Sequence, residues 1–280
     1  TVSPREEPSV GYSTVKKFLG TLIMLRPRII PCLLVKNGGL VKTVNFSSPK
    51  YVGDPINAVR IFNEKEVDEL MVLDIDATVH GREPDYNLIK NLAAECRMPL
   101  SYGGGVKSVE QIERIISLGV EKVALSSVAI QKPDLVTQAA EHVGSQSIVV
   151  VIDVKKSPNL GDYEVFTHNG SKATGLRPEL LVRQMEQLGA GEVVINSIDR
   201  DGAMKGYDMY LVARVREATA LPLTVLGGAG SLNNISSLIR AYGIIGAGAG
   251  SLFVFKGVYR AVLINYPNRF DKDLLIRQAN

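Results

Sequence analysis

Asp153 ends the apolar run Ile148-Val-Val-Val-Ile-Asp153. A carboxylate that closes such a strand emerges partly desolvated, where it can act as a general acid or base. A capping or purely structural aspartate is the alternative. Two glycine clusters, Gly103-Gly104-Gly105 and Gly227-Gly228, follow other strand-like runs. Glycine there lets backbone N–H groups approach an anion, and the start of the next helix favours negative charge. Hydroxyls stand one strand further on, Ser126-Ser127 after the first cluster and Ser251 after the second. Two anion cradles of this kind, containing Gly105, Ser126 and Ser127 on one side and Gly228 and Ser251 on the other, call for a small-molecule ligand with two phosphates. Asp199-Arg200-Asp201-Gly202 also ends a strand. Its two aspartates could hold substrate hydroxyls, Asp201-Gly202 could complete the second cradle, or the segment could be a plain turn. Lys36, Lys42 and Lys155 lie near the first and fifth strand ends and could contact phosphate, although loop lysines are usually only solvated. Arg28, Glu69, Lys122 and Glu192 stand at the opposite strand ends and form either a stabilising ion-pair plug or a gate for something small. His80, His142 and His168 lack metal-ligand spacing, so no metal site is expected.

The elements that position these residues alternate in kind. Strands are predicted at Arg28–Val35, Glu69–Asp74, Met98–Tyr102, Lys122–Leu125, Ile148–Asp153, Glu192–Asn196, Leu221–Leu226 and Ile244–Ala247. Helices are predicted at Pro55–Glu66, Asp85–Glu95, Val109–Leu118, Pro133–His142, Pro178–Leu188, Met209–Ala218 and Leu232–Ala241, with a last one from Leu252. Asp54-Pro55 and Lys132-Pro133 read as an N-cap followed by a first-turn proline. Eight such βα units predict a closed α/β barrel, the (β/α)8 or TIM-barrel fold, whose chemistry sits at the C-terminal ends of the strands.

An internal repeat divides the barrel in two. Pro99-Leu-Ser-Tyr-Gly-Gly-Gly-Val-Lys-Ser108 matches Pro222-Leu-Thr-Val-Leu-Gly-Gly-Ala-Gly-Ser231, and the same offset relates Glu69 to Glu192 and Ile75-Asp76 to Ile198-Asp199. Leu33-Leu-Val-Lys36 matches Ile152-Asp-Val-Lys155, which sets Leu34 opposite Asp153. Two (β/α)4 halves follow, with two-fold symmetry. A mechanism needing opposed carboxylates is therefore broken at Leu34.

With 280 residues, 45% hydrophobic and 22% charged, the chain can bury one full core, and its net charge of +3 gives no nucleic-acid footprint. Cys32 and Cys96 read as reduced core thiols, and the longest apolar run is too short for a bilayer, so a soluble cytoplasmic protein is expected. Residues 1–23 read as an extension or tag ahead of a barrel domain over residues 24–280.

From Met24 onward the chain resembles the cyclase subunit of imidazole glycerol phosphate synthase (HisF). The resemblance is carried by Arg28-Ile-Ile-Pro-Cys-Leu33, Gly53-Asp-Pro55, Asp68-Glu-Leu70 with Leu73-Asp-Ile75, Gly103-Gly-Gly105, Gly144-Ser-Gln146, Ser197-Ile-Asp-Arg-Asp-Gly202, Gly206-Tyr-Asp208 and Gly227-Gly-Ala-Gly230. It implies a barrel that binds a ribulosyl nucleotide with two phosphates and receives ammonia from a HisH-like glutaminase docked on the barrel floor. It also implies that Arg28, Glu69, Lys122 and Glu192 are the ammonia gate, that Asp153 is one of two catalytic aspartates, and that no cofactor is needed. The second aspartate falls on Leu34. Val44 and Asn196 replace threonines of the family, and Ser126 replaces an asparagine. An intact ammonia route with a weakened cyclase site resembles HisF-like paralogues serving sugar amidation for surface polysaccharides (O-antigen), with a sugar amidotransferase as a further partner. A genuine histidine-pathway cyclase and a non-catalytic activator of a glutaminase are the alternatives.

Overall fold

The structure, a computed structural model, describes residues 26–157 and 161–279. The extension expected over residues 1–23 lies outside them. Eight parallel strands close on themselves: Arg28–Lys36 (β1), Leu70–Asp74 (β2), Leu100–Gly103 (β3), Lys122–Leu125 (β4), Ile148–Ser157 (β5), Glu192–Ser197 (β6), Leu223–Leu226 (β7) and Gly246–Ala249 (β8). Arg28 pairs with Gly246 across the β1–β8 seam, and Asn196 pairs with Asp153 between β6 and β5. This is the (β/α)8 barrel expected from the repeat pattern.

The outer helices are Pro55–Glu64 (α1), Tyr86–Glu95 (α2), Val109–Ser117 (α3), Asp134–Val143 (α4), Pro178–Gln187 (α5), Met209–Ala218 (α6), Leu232–Tyr242 (α7) and Arg269–Ala279 (α8). In α1, Ala58, Val59 and Phe62 recur on one face and are buried against the sheet. The helix starts repeat with the sequence halves. Ser108 and Ser231 cap α3 and α7 by accepting from Gln111 N and Asn234 N, and Asp85 and Asp208 cap α2 and α6. Each satisfies a donor that the first helical turn leaves free. Asp54 caps α1 as expected. Pro133 itself, rather than Lys132, occupies the N-cap of α4 and makes no side-chain bond.

Two further departures matter. The last helix does not begin at Leu252. A short helix Ser251–Val254 gives way to an antiparallel pair, Phe255–Lys256 with Ala261–Val262, and α8 follows only after Pro267. Gly257 turns the chain at φ +74°, which breaks any continuous helix there. At the mouth, β1 and β5 each run on into an antiparallel hairpin that the pattern did not predict. These are Gly39–Val44 with Ser47–Gly53, and Asp162–Thr167 with Lys172–Ala173. The first has an Asn37-Gly38 turn with both residues at positive φ, a strong hairpin signal in the sequence. Among the described residues no helix is long and apolar enough to cross a membrane.

Near the chain's end, Tyr266 is tied to the start of β1. Its hydroxyl donates to Ile29 O at 2.8 Å and accepts from Asp68 N at 3.3 Å. Tyr266→Phe removes both bonds, and we expect a loss of about 1 kcal/mol, read as a lower denaturant midpoint at unchanged slope.

Candidate active-site cleft and its ion-paired floor

At the N-terminal end of the barrel the four predicted charges converge. Arg28 Nη1 donates to Glu69 Oε2 at 2.5 Å and its Nη2 to Glu192 Oε1 at 2.7 Å. Lys122 Nζ reaches both Glu69 oxygens at 3.0 Å and Glu192 Oε2 at 2.9 Å. Ser101 Oγ and Thr224 Oγ1, which are repeat mates, donate to Glu69 Oε1 and Glu192 Oε1 at 3.0 and 2.6 Å. The ring is neutral overall, two carboxylates against two cations, and both glutamates are buried. Burial alone would push Glu192 up. The bonds and charges of Arg28 and Lys122 outweigh it and hold the carboxyl below its ordinary value.

Removing one member of such a ring leaves a partner uncompensated. Glu192→Ala should lower unfolding free energy by roughly 3 kcal/mol, measured by chemical denaturation.

Above the ring, inward side chains of alternate positions fill the barrel with hydrocarbon and one thiol: Ile30, Cys32, Met71, Ala124, Val149, Val151, Val194 and Leu226. Both cysteines are free thiols, with Cys32 buried here and Cys96 half-buried. The barrel opens at the C-terminal end into a cleft of about 290 Å³. Leu34, Asp153, Gly105, Ser126, Ser127, Asp201, Gly202, Gly228 and Ser251 all line it. The structure thus brings these nine residues together on one face, with the four floor charges at the other end.

Leu34 and Asp153 occupy matching places. Leu34 pairs with Val41 of its hairpin and Leu73 of β2, while Asp153 pairs with Phe166 of its hairpin and Asn196 of β6. Asp153 Oδ1 accepts from Asn196 Nδ2 at 2.9 Å, and Oδ2 accepts from Ser126 Oγ at 3.4 Å. Burial pushes its carboxyl up to about 7, against the opposing effect of those two bonds. A group poised there can both give and take a proton near neutral pH.

The glycines of the cradles are demanded by backbone packing. A Cβ on Gly202 would lie 2.1 Å from Thr43 O, and one on Gly228 would lie 2.2 Å from Gly206 O. Asp201 Oδ2 accepts from Thr43 Oγ1 at 2.6 Å and Phe46 N at 3.1 Å, so it ties the β1 hairpin to the β6 loop. Asp199 Oδ2 accepts from Lys156 N at 2.9 Å and does not line the cleft. Asn169, at the tip of the β5 hairpin, donates to Ile75 O at 2.6 Å, and His168 N donates to Ser127 Oγ at 3.1 Å. The hairpins thus lock the mouth from both halves of the repeat. From sequence, His168 is weighed only as a metal ligand and Asn169 is passed over, because the β5 hairpin that carries both is not foreseen.

Lys42 corrects another expectation. It is a buried strand residue, 6% exposed, whose Nζ donates to Cys32 O at 2.6 Å. Lys155, by contrast, is exposed, and Lys36 is half-exposed.

The fold and cleft define a (β/α)8 barrel with a charge-sealed floor and a polar C-terminal mouth, built from two repeated halves. Residues 28–260 match the family model described as histidine biosynthesis protein, and the chain belongs to that family. It is 59% identical over 252 residues to a Leptospira interrogans protein named provisionally as imidazole glycerol phosphate synthase subunit HisF, covering 90% of this chain and 99% of that one. It is also 57% identical to a Vibrio vulnificus protein provisionally named subunit hisF3, over 89% of this chain and 96% of that one. A Pseudomonas aeruginosa protein provisionally named subunit hisF2 is 50% identical, over 88% of this chain and 97% of that one.

The raised Asp153 carboxyl carries a pH signature. In the unfolded chain the group ionises near its ordinary value, so above that pH the folded state is penalised increasingly until pH passes about 7. Asp153→Asn should therefore raise the melting temperature over the parent at pH 8, with the gain shrinking toward zero by about pH 4.

Proposed function

We propose that this chain is an ammonia-receiving synthase subunit of the HisF type whose ammonia serves amidation of an acidic N-acetyl sugar of a surface polysaccharide. In this reading a HisH-like glutaminase docks on the floor, and the ring of Arg28, Glu69, Lys122 and Glu192 is the entry gate. Neutral ammonia then crosses the apolar interior to the cleft. Gly105, Ser126 and Ser127 hold one phosphate of a ligand, and Asp201, Gly202, Gly228 and Ser251 hold the other. Asp153 is the remaining proton-transfer group, and no cofactor takes part. A sugar amidotransferase is the acceptor enzyme.

One observation carries the reading. Leu34 and Asp153 hold equivalent places in one cleft, yet only the aspartate can move a proton, while the ion-paired floor is complete. Loss of a general acid or base typically removes about 10²–10⁴ in rate. The names of the relatives favour a second reading, an orthodox cyclase in which another group covers for Leu34.

An assay with a glutaminase partner and the ribulosyl nucleotide separates the two. We expect imidazole glycerol phosphate to form at least about 100-fold more slowly than with two opposed aspartates, and Leu34→Asp to speed it. Product at ordinary enzyme rates from the parent chain would rule out the amidation reading. In the same assay, Lys122→Ala should suppress glutamine-dependent turnover while sparing turnover on added ammonium.

A further inference from the structure

The segment that stands in place of the expected last helix has no part in the mechanism above. After the short helix Ser251–Val254, Phe255–Lys256 and Ala261–Val262 pair into a small sheet apart from the barrel. Its turn carries Val258 and Tyr259, which are 96% and 97% exposed, the most open large apolar side chains among the described residues. The turn is anchored. Arg260 Nη2 donates to Gly202 O at 2.9 Å, and Arg260 N donates to Gly257 O at 3.1 Å. The buried Phe255 ring is flanked by Arg260 and Lys50, 5.9 and 5.8 Å from its centre. Gly202 lines the cleft, so the hairpin stands on the rim of the mouth. A Cβ on Gly202 would lie 3.1 Å from Val44 Cα, which brings a third apolar residue, 42% exposed, to the same corner.

Apolar side chains exposed singly are ordinary on a protein surface. Two in succession on an anchored turn present hydrocarbon in a fixed shape, which is what the centre of a protein interface requires. The accompanying charge is one-sided. Among the described residues no carboxylate lies within ion-pair distance of Lys50, Lys256 or Arg260. The acids of the adjoining segments are spent, Asp54 on Asn57 N and Asp201 on Thr43 Oγ1 and Phe46 N. A two-fold contact between copies of the chain would set these cations against one another. A membrane foot of this kind needs more basic residues, about four to eight in a cluster. What fits the hairpin is a protein surface with an apolar pocket edged by carboxylates.

We propose that this hairpin docks the enzyme that consumes the ammonia, through an acidic face of that enzyme set over the barrel mouth. This deepens the amidation reading by giving its acceptor enzyme a place, and it rests on that reading for the partner's identity. In that reading ammonia leaves the barrel at the mouth, and a partner seated on the rim takes it without release to water. Tyr259 is the anchor of the contact. Lys50 and Lys256 speed the encounter and fix its orientation.

The test is sedimentation velocity of the full chain with its glutaminase and a sugar amidotransferase of the same cell. The proteins should sediment as one complex, and added salt should weaken the amidotransferase contact. Val258→Ser combined with Tyr259→Ser, at two almost fully exposed positions, should weaken that contact about 30-fold or more, the loss of one interface hot spot. Lys256→Glu should weaken it as well, and neither variant should change the affinity for the glutaminase. An amidotransferase that does not join, or that joins the parent and the tip variant equally, overturns the proposal. So does self-association that the tip variant abolishes, or tip-dependent binding to phosphatidylserine vesicles in place of the amidotransferase. The amidation reading is judged separately, from imidazole glycerol phosphate formation by the chain and its glutaminase alone, so it can stand while the docking site falls.

Discussion

Two glutamates and two cations share one end of the barrel axis, and each carboxylate bonds both cations. Such an arrangement is possible only because Arg28, Glu69, Lys122 and Glu192 come from strand starts spread around a closed sheet. Their mutual neutralisation lets charge sit where water is scarce. The same closure stacks apolar side chains directly above and opens the barrel only at the far end. A polar seal, a dry interior and a polar mouth thus lie in series along one axis.

The two-fold repeat accounts for much of this order and also shows where it has been broken. Glu69 and Glu192, Ser101 and Thr224, and the capping serines of α3 and α7 remain matched across the halves. In the cleft the match fails, with Leu34 facing the role of Asp153 and Lys42 buried without an acid. The symmetry is kept in the scaffold and the floor and lost in the cleft at the mouth.

Much of this was legible in the sequence because β-branched runs and the repeat fix strand order and strand ends. Glu69 and Lys122 could be placed on the floor without coordinates. Strand starts were less legible: β3 and β7 begin after Pro99 and Pro222, which have no N–H to pair and lend only their carbonyls, to Leu70 N and Val193 N. The hairpins at the mouth were not foreseen, although Asn37-Gly38 announces the first. That omission turned Lys42 from a buried strand lysine into an expected loop lysine. Hydrogen bonds that join distant loops, such as Asp201 to Thr43, have no local sequence signal at all.

The floor as an ammonia entrance is tested most directly by isotope partition. A reconstituted complex is given glutamine labelled with ¹⁵N in its amide, in buffer holding excess unlabelled ammonium, and the nitrogen of the amidated or cyclised product is read by mass spectrometry. Passage through the ring predicts product that is predominantly ¹⁵N with the intact floor and predominantly unlabelled with Lys122→Ala. Product carrying the isotope ratio of the buffer when the ring is intact would contradict an internal route.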